Sequence, residues 1–269
     1  MNNLAALVCG RRSVRPYDVR AITPQDLEKL CALMEKIENP YELPVAFKLL
    51  DARKQNLSCP VVVGTDLYVG AKLEIAPHLN EAIGYSFEML VLHAQSLGIG
   101  TVWIGGTMNR AAFERAMVLE PNQVMPCVSP LGYPAQKMSL REIMMRKGTG
   151  ADERIAFEKL FFDRSFAVAL TPEKAGSLGH ALEMVRLAPS AVNRQPWRIV
   201  LDEHAAHFYL LRAKGFGGGV IDMQKIDMGL ALCHFDLAAR EAGLTPRRVD
   251  ADPSLETPNG EEYIASYQF

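Results

Sequence analysis

The chain has 269 residues, 49% of them apolar and 22% charged, with a formal net charge of −2. That length allows one large domain or two small ones with a substantial core, and the composition is ordinary for a globular protein. The near-neutral balance gives no global basic field, which excludes nucleic-acid or anionic-membrane binding by bulk charge and makes any anion site local.

Five cysteines (Cys9, Cys31, Cys59, Cys127 and Cys233) are scattered, with no CxxC pair. They read as reduced thiols, not a disulfide frame or a zinc site. The first residues lack the basic region and long apolar run of a signal peptide. The longest stretch free of Asp, Glu, Lys and Arg, residues 89–109, carries His93, Gln95, Ser96 and four glycines. A soluble, cytoplasmic protein is expected.

In chain order, Leu4, Leu7 and Val8 have helical spacing and Gly10 is a stop. Just beyond it lies Arg11-Arg12-Ser13-Val14-Arg15-Pro16-Tyr17. Guanidinium forks at that density match a phosphate; the alternative is a solvated turn. Thr23-Pro24-Gln25-Asp26 starts a helix with Leu27, Leu30, Cys31 and Met34 on its apolar face. Residues 39–44 break it. Residues 45–50 read as a strand, and Pro60-Val61-Val62-Val63-Gly64 as a buried one. A long helix from Asn80 carries Ile83, Phe87, Leu90, Val91, Ala94 and Leu97 on one face and ends at Gly98. Residues 101–104 are extended and lead to Gly105-Gly106. A short helix (109–117), a strand (124–131) closed by Gly132-Tyr133-Pro134, and a basic amphipathic helix (140–146) follow. Residues 147–153 are the best linker, dividing the chain into 1–150 and 151–269.

The pattern then restarts. Thr171-Pro172-Glu173 repeats the helix start of Thr23-Pro24-Gln25 at an offset of 148 residues. Helical spacing runs through Leu178, Leu182 and Val185, residues 199–202 and 207–211 read as a hairpin, and 215–219 as a flexible loop. A last long helix spans about 226–242 and carries Gly229, Ala239 and Gly243 where the earlier one carries Gly84, Ala94 and Gly98, an offset of 145. Two offsets this close point to an internal duplication; chance similarity of amphipathic helices is the alternative.

Two glycine-rich stretches fail as phosphate loops. In Gly98-Ile99-Gly100-Thr101-Val102-Trp103 a helix precedes the motif and Trp103 holds the third glycine position. Lys147-Gly148-Thr149-Gly150 lacks Gly-Lys-Ser/Thr opening a helix. His204 and His207, three apart on a hairpin, point to opposite faces. No spacing suggests a Ser-His-Asp or Cys-His arrangement. The loop Ala188-Pro189-Ser190-Ala191-Val192-Asn193-Arg194-Gln195-Pro196-Trp197 is apolar and proline-bounded, yet carries Ser190, Asn193 and Gln195. Carboxamides suit the mixed edge of a heteroaromatic ring or the capping of their own loop. Trp197 reads as core.

Together, the arginine stretch, the 188–197 loop and Leu97-Gly98-Ile99-Gly100-Thr101-Val102-Trp103-Ile104-Gly105 resemble the nitroreductase family of FMN flavoproteins. In ordinary members the Asn-x-Gln-Pro-Trp loop follows the arginines in the same half; here it lies in the second half, as in the family's duplicated, single-chain branch. The resemblance implies an α+β, nitroreductase-like fold built twice in one chain, a monomer acting as a pseudo-dimer. It implies one FMN, with Arg11, Arg12, Ser13 and Arg15 on the phosphate and Lys137 a weaker candidate. Pro189, Ser190, Ala191 and Asn193 would line the isoalloxazine, with Gln195 nearby, and the backbone at Gly105 and Gly106 would lie close to flavin N5. NADH or NADPH would give a hydride to N5, and a small acceptor (nitroaromatic, quinone or enone) would then take the electrons in ping-pong fashion, with no acid–base residue named. A flavin-sequestering module without turnover is the alternative, and a relic that binds no flavin is the third. At the 148-residue offset the arginines meet Lys159, Leu160, Phe161 and Asp163, so the second phosphate cradle is degraded.

Overall fold

The computed structural model describes residues 3–214 and 219–269, the Arg141 side chain excepted; of the expected 215–219 loop, only Gly219 is among the described residues. The chain divides into two compact units, Met1–Gly148 and Thr149–Phe269.

The first unit opens with α1 (Leu4–Gly10) and α2 (Pro24–Met34). At the start of α2 the Thr23 hydroxyl accepts the Asp26 N–H at 3.2 Å and Pro24 occupies the first turn, where its missing N–H costs nothing. Strand β1 (Ala46–Asp51), a short α3 (Ala52–Gln55) and β2 (Leu67–Glu74) follow. β2 is the centre of an antiparallel sheet: β1 lies along one edge, and β3 (Gln123–Val124) and β4 (Val128–Pro130) pair along the other. Helices α4 (Leu79–Ser96), α5 (Arg110–Met117) and α6 (Leu140–Gly148) complete the unit. Leu50, Tyr68, Val102, Ile104, Phe113, Met117 and Val128 form one core, in which each fully buried large side chain contributes roughly 1.5–3 kcal/mol. Gly70 permits that packing, because a Cβ there would sit 2.5 Å from Met117 Sδ.

Several expectations need correction. Residues 60–64 are not a buried strand: they form a turn, Val63 is 65% exposed, and it makes a single bridge to Pro16. The central strand is β2, whose apolar pattern is interrupted by Gly70 and Lys72. The expected 124–131 strand is split into β3 and β4 around Pro126, which has no N–H to give a ladder. Helix α4 is buried on more than one face, Glu81 and Glu88 included.

In the second unit, β5 (Phe161–Asp163) runs parallel to β6 (Trp197–Leu201), which forms an antiparallel hairpin with β7 (Ala205–Leu210). Helix α7 (Gly179–Leu187) precedes the hairpin and α8 (Met223–Glu241) follows it. The Asp222 side chain caps α8 by accepting the Gln224 and Lys225 N–H groups. Strands β8 (Arg247–Val249) and β9 (Glu262–Gln268) finish a mixed sheet of order β5-β6-β7-β9-β8. Thr171 does not start a helix. Turns follow it, and Gly176 at φ +55° interrupts any right-handed helix, so α7 begins only at Gly179.

Both units therefore use an antiparallel strand pair, then a long buried helix, then a strand that returns to the second strand of the pair: β1, β2, α4 and β4 in one, β6, β7, α8 and β9 in the other. This is an internally duplicated α+β architecture. No described helix is long and apolar enough to cross a membrane.

Candidate functional site

In the first unit α1 stops at Gly10 and the chain turns extended at Arg11. Backbone bonds then stitch the segment down on both sides. Val14 N–H donates to Thr101 O, Tyr17 N–H to Val63 O, and Val63 N–H to Arg15 O. Asp18 N–H donates to Tyr133 O and Ala135 N–H to Pro16 O. Val14 and Tyr17 are buried, and the Tyr17 hydroxyl donates to Val14 O at 2.7 Å. Glycines allow this closeness. At Gly64 (φ +91°) a Cβ would lie 2.2 Å from Tyr17 O, and at Gly132 one would lie 2.8 Å from the Tyr17 ring. Three stretches far apart in sequence are thus gathered: Arg11 to Arg15, the extended segment 101–104 leading into Gly105, and residues 132–135.

Arg11, Arg12, Ser13 and Arg15 are all partly exposed. Arg12 Nη1 donates to Glu142 Oε1 on α6, a carboxylate whose side chain is 0% exposed. Arg15 Nε and Glu142 Oε2 are buried and have no hydrogen-bond partner among the described residues. Burial lowers the pKa of Arg11, with Glu88 opposing and Arg146 reinforcing; burial likewise lowers that of Arg15, with Glu142 opposing. Lys137 is exposed. Gly105 O accepts from Arg110 Nη2, and Arg110 Nη1 also reaches Met125 O at 2.8 Å. A Cβ at Gly106 would meet nothing within 4 Å, and one at Gly105 only Pro126 O at 3.8 Å. Neither glycine has the positive φ that would demand glycine, so what they provide is open space over the backbone. A phosphoryl group is chemically compatible with this first-unit cluster: Arg11, Arg12 and Arg15 supply guanidinium donors within five residues, and one buried donor, Arg15 Nε, has no hydrogen-bond partner among the described residues.

In the second unit the 188–197 loop is strained and tightly held. Val192, Asn193 and Gln195 have φ of 45°, 56° and 49°, and the left-handed region is uncommon for any non-glycine residue and most costly for β-branched Val. Compensation comes from local bonds. Gln195 N–H donates to Ser190 Oγ at 2.8 Å. Ala191 N–H lies 3.0 Å from both oxygens of the buried Asp227 on α8. The Asn193 amide donates to Gly150 O and Glu153 O at 2.6 and 2.9 Å, and Gln195 Oε1 accepts Ile155 N–H at 2.9 Å. Arg154 reaches Leu187 O and Asn193 Oδ1. Both carboxamides are therefore engaged in securing the loop to residues 150–155. Pro189, Ser190 and Ala191 are partly exposed, Gln195 is buried, and Trp197 is fully buried as core.

Sequence reasoning missed three residues here. Glu142 was hidden in a helix read as basic, although Ser139-x-x-Glu142 is a capping-box signature. Asp227 and Arg154 carry no motif of their own, and Arg154 lies one residue past the 147–153 linker. A fourth finding is a hydrogen-bonded chain of Asp202, His207 and Ser266 that the sequence spacing does not suggest. His207 Nε2 lies 2.9 Å from Asp202 Oδ2 and Nδ1 2.7 Å from Ser266 Oγ. Ser266 is 1% exposed and also bonds Tyr263 Oη at 2.8 Å, so the chain ties β7 to β9 and offers no accessible nucleophile.

A family model described as "Putative TM nitroreductase" matches residues 3–239. A "putative nitroreductase" from Thermotoga maritima has a similar fold: TM-score 0.64 at 19% identity, covering 100% of this chain and 94% of that one. Weaker likenesses include an "FMN-dependent Nitroreductase" from Clostridium difficile (TM-score 0.44, 14% identity, 50% of this chain and 90% of that one). Another is a "Putative NADH dehydrogenase/NAD(P)H nitroreductase" from Bacteroides thetaiotaomicron (TM-score 0.45, 18% identity, 52% and 90%). A search of curated proteins gives no match.

Proposed function

From the premise that the chain belongs to the family described as "Putative TM nitroreductase", we propose that it is an FMN-dependent NAD(P)H oxidoreductase acting on a small acceptor such as a nitroaromatic, quinone or enone. The observation that carries this reading is the arginine cluster of the first unit, with Arg15 Nε buried and lacking a partner among the described residues. Arg11, Arg12, Ser13 and Arg15 would hold the phosphate, with Lys137 supplying further positive charge. When bound, FMN would supply two-electron redox chemistry at N5.

The chain's own contributions are binding and orientation. The open space at Gly105 and Gly106 would let the ring approach backbone N–H groups, which stabilise negative charge developing near them. Pro189, Ser190, Ala191 and Asn193, with Gln195 behind them, would line the ring; the assignment of both segments to one flavin rests on the resemblance of their motifs. The hydrogen bonds that hold that loop support the reading, since a pre-set ring contact avoids an ordering cost on binding. No side chain is given an acid–base role.

The test is the absorbance spectrum of the purified chain and its anaerobic bleaching by NADH or NADPH. Yellow protein that bleaches is expected; colourless protein that ignores added FMN overturns the reading. Arg12→Ala and Arg15→Ala should each weaken FMN binding about tenfold or more, measured by flavin fluorescence, since each removes a charged hydrogen bond. A flavin-sequestering module is the second reading, favoured by the second unit, where Leu160 and Phe161 are fully buried instead of forming a cationic cradle. Bound FMN that no nicotinamide reduces would select it.

A further inference from the structure

The cluster that the proposed function assigns to the FMN phosphate already holds an anion of its own. We propose that Glu142 is an internal stand-in for the ligand's phosphoryl group, and that a phosphate monoester enters the arginine cradle by displacing it. This inference rests on the reading of the cluster as a phosphate site.

Three observations carry it. First, Glu142 is 0% exposed and its Oε1 takes the Arg12 guanidinium. A carboxylate is removed from water at a high cost and stays there only while paired. Second, the pairing is incomplete. Glu142 Oε2 and Arg15 Nε are both buried in the same cluster with no hydrogen-bond partner among the described residues. A two-oxygen carboxylate with a single charge leaves one donor and one acceptor unmatched. A phosphoryl group offers three terminal oxygens and up to two charges, so it can serve Arg12 and Arg15 together. Third, Glu142 has somewhere to go. Its N–H donates to Ser139 Oγ at 3.1 Å, which is one half of a capping box. The other half would be the glutamate side chain reaching back to the Ser139 N–H. In this structure that carboxylate is on Arg12 instead. Released, it can close the box at the start of its own helix, where the dipole favours negative charge.

The way α6 is docked agrees with this. Leu140 and Met144 are 81% and 74% exposed. Among the described side chains of the helix only Glu142 is buried, so releasing the carboxylate uncovers no buried apolar side chain of α6. The consequence is selectivity: a neutral ligand gains nothing by opposing Glu142, whereas a dianionic monoester replaces a weaker anion with a stronger one.

The experiment compares the wild type with Glu142→Gln, Glu142→Ala and Arg12→Ala, each checked for folding by far-UV circular dichroism. FMN, riboflavin and inorganic phosphate are titrated separately, with flavin fluorescence for the first two and thermal shift for the third. Glu142→Gln is expected to tighten FMN about tenfold, to leave riboflavin binding unchanged, and to enlarge the phosphate-induced thermal shift. Glu142→Ala should do the same if the glutamine variant folds poorly. Should Arg12→Ala weaken FMN while both Glu142 variants bind it no better than wild type, the inference falls and the phosphate cradle stands. Should no variant or wild type bind FMN, the flavin reading fails. The phosphate titration then decides: a larger shift in the Glu142 variants keeps the stand-in, and an equal or smaller one overturns it.

Discussion

A carboxylate buried as completely as Asp227 is costly as an anion unless something compensates. Here the compensation is one backbone donor, Ala191 N–H, shared between two oxygens at 3.0 Å. Burial pushes the Asp227 pKa well above the ordinary carboxylate value, with the Ala191 N–H opposing it and Asp222 adding to it. A raised folded-state pKa means the native state binds the proton more tightly than the unfolded chain does. Asp227 therefore favours the fold most at pH below the ordinary carboxylate range, and that contribution is lost as pH rises through its folded value. Asp227→Asn keeps an acceptor for Ala191 and removes the charge. Its stability relative to wild type should rise with pH from about 4 upward and then level off, as read by urea unfolding at several pH values. Asp227→Ala should instead cost about 1–3 kcal/mol at acidic pH, because it leaves the Ala191 N–H unpaired beneath a loop with three left-handed non-glycine residues.

At the scale of elements, the arginine segment is held by its neighbours more than by its own conformation. Gly64 shows this most sharply, since a Cβ there would strike the Tyr17 carbonyl at 2.2 Å in a backbone conformation that already favours glycine. Gly64→Ala should destabilise the protein by roughly 3 kcal/mol or more, and should weaken FMN binding in whatever folds, because Tyr17 and Arg15 share that stitch with Val63. Thermal melts and a flavin titration on one preparation check both. The same region shows how far the sequence was legible. Helices with a local signature were found: Thr23 before α2, Asn109 before α5, the apolar periodicity of α4, and the small-residue spacing that α8 shares with α4. Strand β2 was not, because Gly70 and Lys72 interrupt its pattern and its place is set by Met117 and by pairing on both edges. Residues 60–64 looked like a strand because three valines have high β propensity, but propensity gave way to a turn at Pro60 and Gly64. At the site, the arginines and the 188–197 loop were legible as motifs. Their partners Glu142 and Asp227 were not, because they lie 130 and 36 residues away from Arg12 and Ala191 and only folding brings them close.

Across the whole molecule the duplication is one of architecture and not of chemistry. Each unit repeats an antiparallel strand pair, long helix and returning strand, but the segments related by the 148-residue offset to the arginine stretch differ. In the first unit that stretch is an irregular, partly exposed run with Arg11, Arg12 and Arg15. In the second, Phe161 and Phe162 belong to β5 and pair with Ile199 and Val200, and Leu160 and Phe161 are fully buried. A side chain buried in a sheet core cannot be recruited to a phosphate without losing its packing, so a second cradle cannot be recovered by a local shift. Arg164, the next residue along the chain after Asp163, is paired with Glu203 at 2.5 Å. One flavin per chain is the expected stoichiometry. Two equivalent sites would respond to Arg15→Ala by keeping half of the bound flavin at saturation, with unchanged affinity. A single site responds by weakening as a whole, with no fraction retained at wild-type affinity. Equilibrium dialysis of FMN against wild type and Arg15→Ala separates these outcomes. A residual half-stoichiometric, high-affinity class in the variant would show that the second unit has kept a phosphate site elsewhere than at residues 159–163.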